Sequence, residues 1–132
     1  MVSASCLGRL DHGWVVASET CALDLVGAHY VRDIKPGEMI VIDDADKEPT
    51  SLMYAQHQPE HRAHCIFEFV YFARPDSIMD GESIYLARVN MGRILARETK
   101  DIKADIVISV PDSGTPAAIG YGLEKGIPSS KD

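Results

Sequence analysis

The sequence has 132 residues and a hydrophobic content of 45%, which suits one domain or parts of two and is enough to bury a core. Its net charge of -7 argues against a nucleic acid or an acidic membrane as a partner, although local dipoles can still hold a small anion. The N-terminus does not resemble a signal peptide, no apolar run approaches the roughly 18 residues of a membrane span, and the three cysteines are widely spaced. We therefore expect a soluble protein in the reducing cytoplasm.

The first part of the chain is predicted to be rich in β-structure. Apolar and β-branched residues predict short strands over residues 14–18, 28–33, 38–43 and 51–55. Residues 22–25 suit one short helical turn, for which Ser18, Glu19 and Thr20 are candidate caps. Elements this short would struggle to close a core by themselves.

Residues 43–64 are polar and contain two prolines, which is typical of a surface connection or a domain boundary. His57, His61, His64 and Cys65 offer ligands of the type that bind zinc. We favour an exposed loop with ordinary histidines over a zinc site, because the flanking residues are those of a solvated connector. Cys65 opens a hydrophobic stretch, where composition alone predicts a buried and inert thiol.

The second half has the pattern of an α/β fold. Residues 65–73 predict a strand and residues 82–99 a helix, after which residues 105–110 predict a second strand and residues 116–124 a second helix. The order strand, helix, strand, helix predicts a right-handed parallel crossover, the opening half of a doubly wound sheet. Two parallel strands cannot cover both faces of a sheet, so we expect either strands from a partner or a fragment of a longer chain.

A glycine-containing turn, PDSG at Pro111 to Gly114, joins the second predicted strand to the second predicted helix. Helix N-termini carry unpaired N–H groups and partial positive charge, so such a turn can bind an anion, although many such turns only connect. Thr115 is the expected N-cap, and Pro116 is the expected first helical residue.

The residues of this turn are candidates for binding a phosphate or pyrophosphate. Ser113 offers a short hydroxyl donor, and Gly114 allows close backbone approach and a positive φ. The carboxylate of Asp112 would repel an anion unless a divalent cation, a water or a sugar hydroxyl intervenes, or unless it accepts N–H bonds within the turn. Pro111, Asp112, Ser113 and Gly114 are therefore the candidate substrate-binding residues.

Several motifs of the sequence occur together, in order, across about residues 7–128. The most specific is CIFEFVYFARPDS at residues 65–77. The others are ASETCALD at 17–24, VGA at 26–28, RD at 32–33, PGE at 36–38, VPDS at 110–113, PAA at 116–118 and GY at 120–121. In these motifs and their spacing the sequence closely resembles the amidophosphoribosyltransferases, the glutamine phosphoribosylpyrophosphate amidotransferase family.

The resemblance implies a particular domain organisation and activity. Residues 1–60 would be the tail of an N-terminal-nucleophile (αββα) glutaminase domain. Residues 61–132 would be the first β-α-β-α of a type I phosphoribosyltransferase domain, which has a Rossmann-like parallel sheet. The family hydrolyses glutamine and passes the ammonia to phosphoribosyl pyrophosphate, giving phosphoribosylamine, glutamate and pyrophosphate in the first committed step of purine synthesis. We also expect a homo-oligomer.

The resemblance also implies where the functional residues lie. Pro111 to Gly114 falls on the pyrophosphate loop of the family, which works with Mg²⁺. Cys65 falls on the first of four cysteines that ligate a [4Fe-4S] cluster in one branch. The family's nucleophile is an N-terminal cysteine, whereas this chain opens with Met1-Val2, so we expect the catalytic cysteine to lie outside it.

The sequence departs from the family in ways that limit what this chain can do. The acidic ribose-phosphate loop and the three remaining cluster cysteines are absent. We therefore expect an internal fragment that is inactive alone and binds no cofactor. Two alternatives stay open, namely a non-catalytic interaction protein and a phosphoribosyltransferase-like module that binds pyrophosphate.

Overall fold

The computed structural model describes residues 5–54 and 65–129. The chain divides into two compact units, Met1–Cys65 and Ile66–Asp132. The histidines of the predicted zinc alternative, His57, His61 and His64, lie outside the described residues. Within the described ranges, no helix is long and apolar enough to cross a membrane.

The first unit is built on a three-stranded antiparallel sheet with the strand order β2-β1-β3. Its strands are β1 (Cys6–Leu10), β2 (Gly13–Ala17) and β3 (His29–Asp33). The predicted strands at 14–18 and 28–33 are confirmed as β2 and β3. Sequence pattern does not predict β1, yet β1 is the central strand, because it pairs with β2 on one side and with β3 on the other.

A single short helix, α1 (Thr20–Leu25), contributes the main apolar side chain of this unit. Leu23 is almost fully buried and packs with Cys6 and Ala28. Gly8 makes room for it, since a Cβ there would lie 2.8 Å from a methyl group of Leu23. Glu19 is the N-cap residue but makes no side-chain cap hydrogen bond, so the helix depends on this packing rather than on the predicted capping.

A two-stranded antiparallel sheet, β4 (Glu38–Val41) with β5 (Thr50–Met53), confirms the remaining two predicted strands. Its polar centre is the carboxylate of Glu38, whose side chain is only 2% exposed. Arg32 on β3 donates hydrogen bonds of 2.9 and 2.7 Å to it, the backbone N–H of Lys35 donates at 2.7 Å, and Ser51 donates from its hydroxyl. The Arg32 guanidinium, with these other donors, lowers the pKa of Glu38 to about 2.

Acidification should therefore weaken the first unit. Because its pKa is depressed in the folded state, Glu38 contributes stability that is present above its ordinary pKa and is lost as the pH falls toward about 2. Glu38→Gln should lower the free energy of unfolding at neutral pH by about 2 kcal/mol, a figure that allows for solvent screening at the partly exposed Arg32. Urea unfolding followed by the fluorescence of Trp14, the one tryptophan of the sequence, measures this change.

Glu48→Gln is the matched control, because Glu48 is exposed and lies in the same unit. It should leave both the stability and its pH dependence close to those of the unmodified chain. The role assigned to Glu38 would be wrong if Glu38→Gln and the unmodified chain lost stability equally on acidification.

The second unit begins with a π-helical turn, Glu68–Phe72, where the sequence predicts a strand over residues 65–73. The turn is closed by the N–H of Ala73, which donates to the carbonyl of Glu68 at 3.0 Å. The strand prediction is wrong because a strand needs a neighbour to pair its N–H and C=O groups, whatever its β propensity. No strand lies beside this segment among the described residues, and its backbone bonds locally instead.

A buried arginine holds this turn from the following helix. Arg88 is 2% exposed and donates from Nε to the carbonyl of Phe69 and from Nη2 to the carbonyl of Ala73, both at 2.7 Å. It lies on the buried face of the helix, four residues from Ile84 and four from Gly92. The arginine thus supplies donors for carbonyls that a neighbouring strand would otherwise pair.

The helix itself follows a tight hairpin of β6 (Ile78–Met79) and β7 (Glu82–Ser83). Asp80 and Gly81 both have positive φ, as a two-residue hairpin turn requires. Ser83 caps α2 (Ile84–Glu98), accepting a hydrogen bond from the N–H of Leu86 at 3.4 Å. The predicted helix over residues 82–99 is confirmed.

The second predicted helix is confirmed as α3 (Thr115–Lys125), and it packs directly on α2 through glycines. A Cβ built on Gly92 of α2 would overlap with the carbonyl of Ala117 on α3. A Cβ built on Gly120 of α3 would overlap with the carbonyl of Val89 on α2. The two helix backbones therefore touch at two places, where no side chain fits between them.

Alanine at either glycine should destabilise the second unit. Gly92→Ala or Gly120→Ala should lower the free energy of unfolding by at least about 2 kcal/mol, because the backbones must separate, and this outweighs the gain of about 1 kcal/mol in helix propensity. Urea unfolding followed by the helical circular dichroism signal measures the loss. Glu98→Ala, at an exposed position of α2, is the control and should change stability by no more than about 0.5 kcal/mol. A stabilised Gly92→Ala variant would contradict the close contact.

The predicted strand over residues 105–110 is not formed as such. Val107 makes a single parallel bridge to Ser129, and its N–H donates to the carbonyl of Pro128 at 3.0 Å. Ile106, Ile108 and Val110 are exposed, Val110 by 82%. The segment is an extended lead into α3, because the described residues include no further strand for it to join.

The chain is accordingly a mixed α/β protein with small sheets, all of them antiparallel among the described residues. The predicted parallel crossover is wrong for this part of the chain. Of its four elements the two helices form, but neither strand does. Helices satisfy their backbone groups internally, whereas a parallel sheet requires neighbours.

Candidate functional site

The candidate site is the turn between the extended segment 105–110 and α3. Pro111 and Asp112 are exposed, whereas Ser113 and Gly114 are half-buried, and the peptide bond between Pro111 and Asp112 is cis. The structure therefore keeps the four predicted residues together as one short turn at the start of an 11-residue helix. The helix dipole places partial positive charge at this end.

Several backbone N–H groups of the turn and of the first residues of α3 fall into two classes. Two are paired, since Thr115 donates to the carbonyl of Asp112 at 3.2 Å and Ala118 donates to the carbonyl of Gly114 at 3.0 Å. Those of Ser113, Gly114 and Ala117 find no acceptor within the part of the chain that the structure describes. Unpaired N–H groups at a helix N-terminus are the donors by which proteins bind phosphate groups.

Gly114 is required by close packing and not by an unusual backbone angle. Its φ is -77°, in the ordinary right-handed helical region, so the expected positive φ is wrong. A Cβ at this position would lie 2.7 Å from the carbonyl oxygen of Val110, so the neighbouring backbone leaves no space for a side chain. Any side chain here would push the two ends of the turn apart.

Thr115 differs from its prediction. Gly114 is the N-cap of α3, and Pro116 follows Thr115 inside the first turn, so Thr115 is not the cap. Its hydroxyl lies 3.1 Å from that of Ser109, on the other side of the turn. Sequence reasoning missed Ser109, and the one available signal was that hydroxyl residues flank the turn on both sides.

Asp112 directly precedes Ser113 in the chain and has an exposed carboxylate, and none of the described residues forms a hydrogen bond or ion pair with that carboxylate. Mg²⁺ is typically bound through one or two carboxylates together with phosphates of the substrate. The residue therefore fits a divalent cation that bridges the protein to a phosphate-bearing ligand, and it is the one residue of the turn with a carboxylate to offer.

Comparison with known proteins identifies the relatives of this chain. A scan against protein-family models finds no match. The chain is 57% identical over 122 residues to the amidophosphoribosyltransferase of Mycobacterium tuberculosis, covering 92% of this chain and 22% of that protein. It is 50% identical over 123 residues to the amidophosphoribosyltransferase of Archaeoglobus fulgidus, covering 93% and 26%. The chain is homologous to the amidophosphoribosyltransferases.

A solved structure agrees with this relationship. The glutamine phosphoribosylpyrophosphate amidotransferase of Bacillus subtilis, complexed with ADP and GMP, matches the chain with a TM-score of 0.86 and 43% identity. The match covers 97% of this chain and 27% of that one. The chain thus spans about a quarter of the length of the amidophosphoribosyltransferases it matches, and the resemblance found in the sequence motifs is confirmed.

Cys65, the predicted cluster ligand of this family, is exposed, so the expectation of a buried thiol is wrong. It lies before the π-helical turn, in which the Tyr71 and Phe72 side chains are also exposed. A [4Fe-4S] cluster takes about four thiolates. The other two cysteines, Cys6 and Cys21, are buried in the first unit, and the described residues contain no group of three metal-ligating side chains. The described residues therefore do not fit the cluster.

The three cysteines should differ sharply in reactivity with an alkylating reagent. Cys65 should be modified first, because it is exposed, whereas Cys6 and Cys21 should be protected until the first unit unfolds. Burial raises the pKa of the Cys6 thiol, the negative charge of Asp33 adds to this, and the thiolate fraction of Cys6 falls. Timed iodoacetamide labelling with peptide mass spectrometry measures the order. Equal labelling rates of the three cysteines in the native chain, without urea, would contradict this arrangement.

Proposed function

We propose that the turn Pro111 to Gly114, with the first residues of α3, holds the pyrophosphate group of phosphoribosyl pyrophosphate and forms one wall of an amidophosphoribosyltransferase active site. The observation that carries the proposal is the set of unpaired N–H groups of Ser113, Gly114 and Ala117. It is supported by homology to enzymes of that name, one of which is the glutamine phosphoribosylpyrophosphate amidotransferase of Bacillus subtilis.

In this role the turn acts on the leaving group of the transfer reaction. Ammonia attacks the anomeric carbon of the ribose, a C–N bond forms, and the C–O bond to pyrophosphate breaks with its electron pair. Negative charge accumulates on the departing pyrophosphate. The N–H donors and the helix dipole stabilise that charge without reorganising, because the turn is already folded around them.

Asp112 would hold Mg²⁺ against the pyrophosphate in this proposal. The cation supplies positive charge that neutralises the phosphate oxygens when it is bound. Asp112 would orient the cation, and the positive charge of the cation would offset the repulsion between the Asp112 carboxylate and the ligand. Ser113, half-buried in the middle of the turn, adds a hydroxyl donor beside the backbone groups.

We further propose that the intact protein hydrolyses glutamine in a domain to which the first unit belongs, and transfers the ammonia to phosphoribosyl pyrophosphate in purine synthesis. In the first unit we assign no catalytic residue. The chain by itself should be inactive. We also propose that the parent enzyme is cytoplasmic and homo-oligomeric, and the three free cysteines agree with a reducing compartment.

Calorimetric titration of the 132-residue chain with pyrophosphate tests the function of the turn. In the presence of Mg²⁺ the chain should bind pyrophosphate, and removal of the cation with a chelator should weaken binding by at least about tenfold. Asp112→Asn should cause a similar loss, because the cation loses its protein ligand. Asp105→Asn is the matched control, since Asp105 is an exposed carboxylate on the adjoining segment.

The sign of the Asp112→Asn effect separates the two roles of this carboxylate. Weaker binding in Mg²⁺ supports the bridging cation, whereas equal or tighter binding means that Asp112 only repels the ligand. Flat heats with the unmodified chain in Mg²⁺ would overturn the proposed pyrophosphate site.

A second function, that of a non-catalytic interaction protein, is favoured by one observation. Ile106, Ile108 and Val110 expose apolar side chains on a segment that has almost no strand partner. A chain of this kind would form a stable oligomer and would not bind pyrophosphate. Sedimentation analysis beside the calorimetry separates the two, because a monodisperse oligomer with flat heats selects the interaction protein.

A further inference from the structure

We propose that the hydrogen bond between the hydroxyls of Ser109 and Thr115 fixes the turn in its anion-binding shape before the ligand arrives. The inference rests on the proposed function of the turn and adds two positioning residues to it. Both act through the backbone of the turn and not on the reacting atoms.

The hydroxyl pair closes the turn at its base. Ser109 lies one residue before the end of the extended segment 105–110 and Thr115 begins α3, and their hydroxyl oxygens lie 3.1 Å apart across the five intervening residues. Both residues are half-buried, so water competes less for this bond than it would at an exposed site.

Two further contacts, both made by the backbone, hold the turn at other positions. The N–H of Thr115 donates to the carbonyl of Asp112 at 3.2 Å. Gly114 lies against the carbonyl of Val110, with no space for a Cβ. The hydroxyl pair is the one of these three contacts made by side chains, so substitution can remove it without altering the backbone chemistry.

The position of the Thr115 hydroxyl also keeps a donor available for the ligand. An N-cap threonine would accept a hydrogen bond from the N–H group two or three residues later, which here means Ala117 or Ala118. Ala118 already donates to the carbonyl of Gly114. Because Thr115 bonds to Ser109 instead, the N–H of Ala117 keeps no acceptor among the described residues and can face an anion.

The turn needs such closure because its approach is weakly held. The segment 105–110 has one bridge to Ser129, and Val110, Pro111 and Asp112 are exposed. An open turn would have to be ordered by the ligand, and the entropy of ordering would subtract from binding. A turn closed beforehand avoids that cost.

The experiment uses the 132-residue chain, with magnesium pyrophosphate as the probe. Ser109→Ala and Thr115→Val each remove one hydroxyl, the double variant removes both, and Thr115→Ser restores a hydroxyl without the methyl group. Thr99→Val is the matched control, because the Thr99 hydroxyl makes a similar contact of 3.0 Å with Tyr121 elsewhere on α3. Two quantities are measured, the dissociation constant by calorimetry and the amide hydrogen exchange at positions 115 and 118 without ligand.

Each single variant at the base of the turn should weaken binding by about fivefold, the size expected for one neutral hydrogen bond. The double variant should bind no more weakly than either single variant, since both remove the same bond. Exchange at positions 115 and 118 should accelerate in these variants and return toward that of the unmodified chain in Thr115→Ser. Thr99→Val should leave both quantities unchanged.

The results separate this inference from the proposed function. Unchanged exchange in Ser109→Ala and Thr115→Val would overturn the closing role, whether or not pyrophosphate binds. If the unmodified chain binds pyrophosphate and these two variants bind it with the same affinity, the closing role is overturned as well. Absence of binding by the unmodified chain would overturn the proposed function, and accelerated exchange would then still support closure of the turn by the hydroxyl pair.

Discussion

The direct contact between the backbones of α2 and α3 is the constraint on which the second unit depends. Gly92 faces the carbonyl of Ala117, and Gly120 faces the carbonyl of Val89. Side chains can adjust by changing rotamer, but two touching backbones cannot, so the position of α3 is set closely. This contact also sets the position of the N-terminus of α3 and of the segment Pro111 to Gly114 before it, because Ala117 lies in the first helical turn of α3. At the other end, Lys125 donates to the carbonyls of Thr99 and Lys100 and ties α3 to the end of α2.

The first unit is stabilised in a different way. Its strands are short and its apolar cluster is small, centred on Leu23. A buried carboxylate therefore contributes much of the order, because Glu38 joins β3, the following turn and the β4-β5 sheet through charge-assisted hydrogen bonds. The two units are thus stabilised by different interactions, which are polar contacts in the first unit and close backbone packing in the second. The candidate substrate site lies in the second, at the N-terminal end of the helix that this packing positions.

Sequence reasoning succeeded for the two long helices and for the strands of the first unit, and it failed for the two predicted strands of the second unit, which have no neighbouring strand among the described residues. Both long helices and the four predicted strands of the first unit formed near the expected bounds. The apolar runs at 65–73 and 105–110 have the composition of buried strands, yet one forms a π-helical turn and the other a nearly unpaired extended segment. Composition reports the side chains that a strand could bury, but pairing depends on which backbone lies alongside. At the candidate site the four turn residues came from sequence, whereas Ser109 did not.

The sequence by itself determined the helices, the turn PDSG and the kinship with amidophosphoribosyltransferases, because local propensity and motif spacing are properties of the chain. Only the tertiary structure decided that Arg88 turns inward to bond the carbonyls of Phe69 and Ala73, that Gly114 is needed for close approach, and that Thr115 pairs with Ser109 instead of capping α3. In each case the deciding partner lies elsewhere in the chain, beyond the window that a local pattern describes. A side-chain donor takes whichever acceptor the packed backbone brings within reach, and packing is a property of the whole unit.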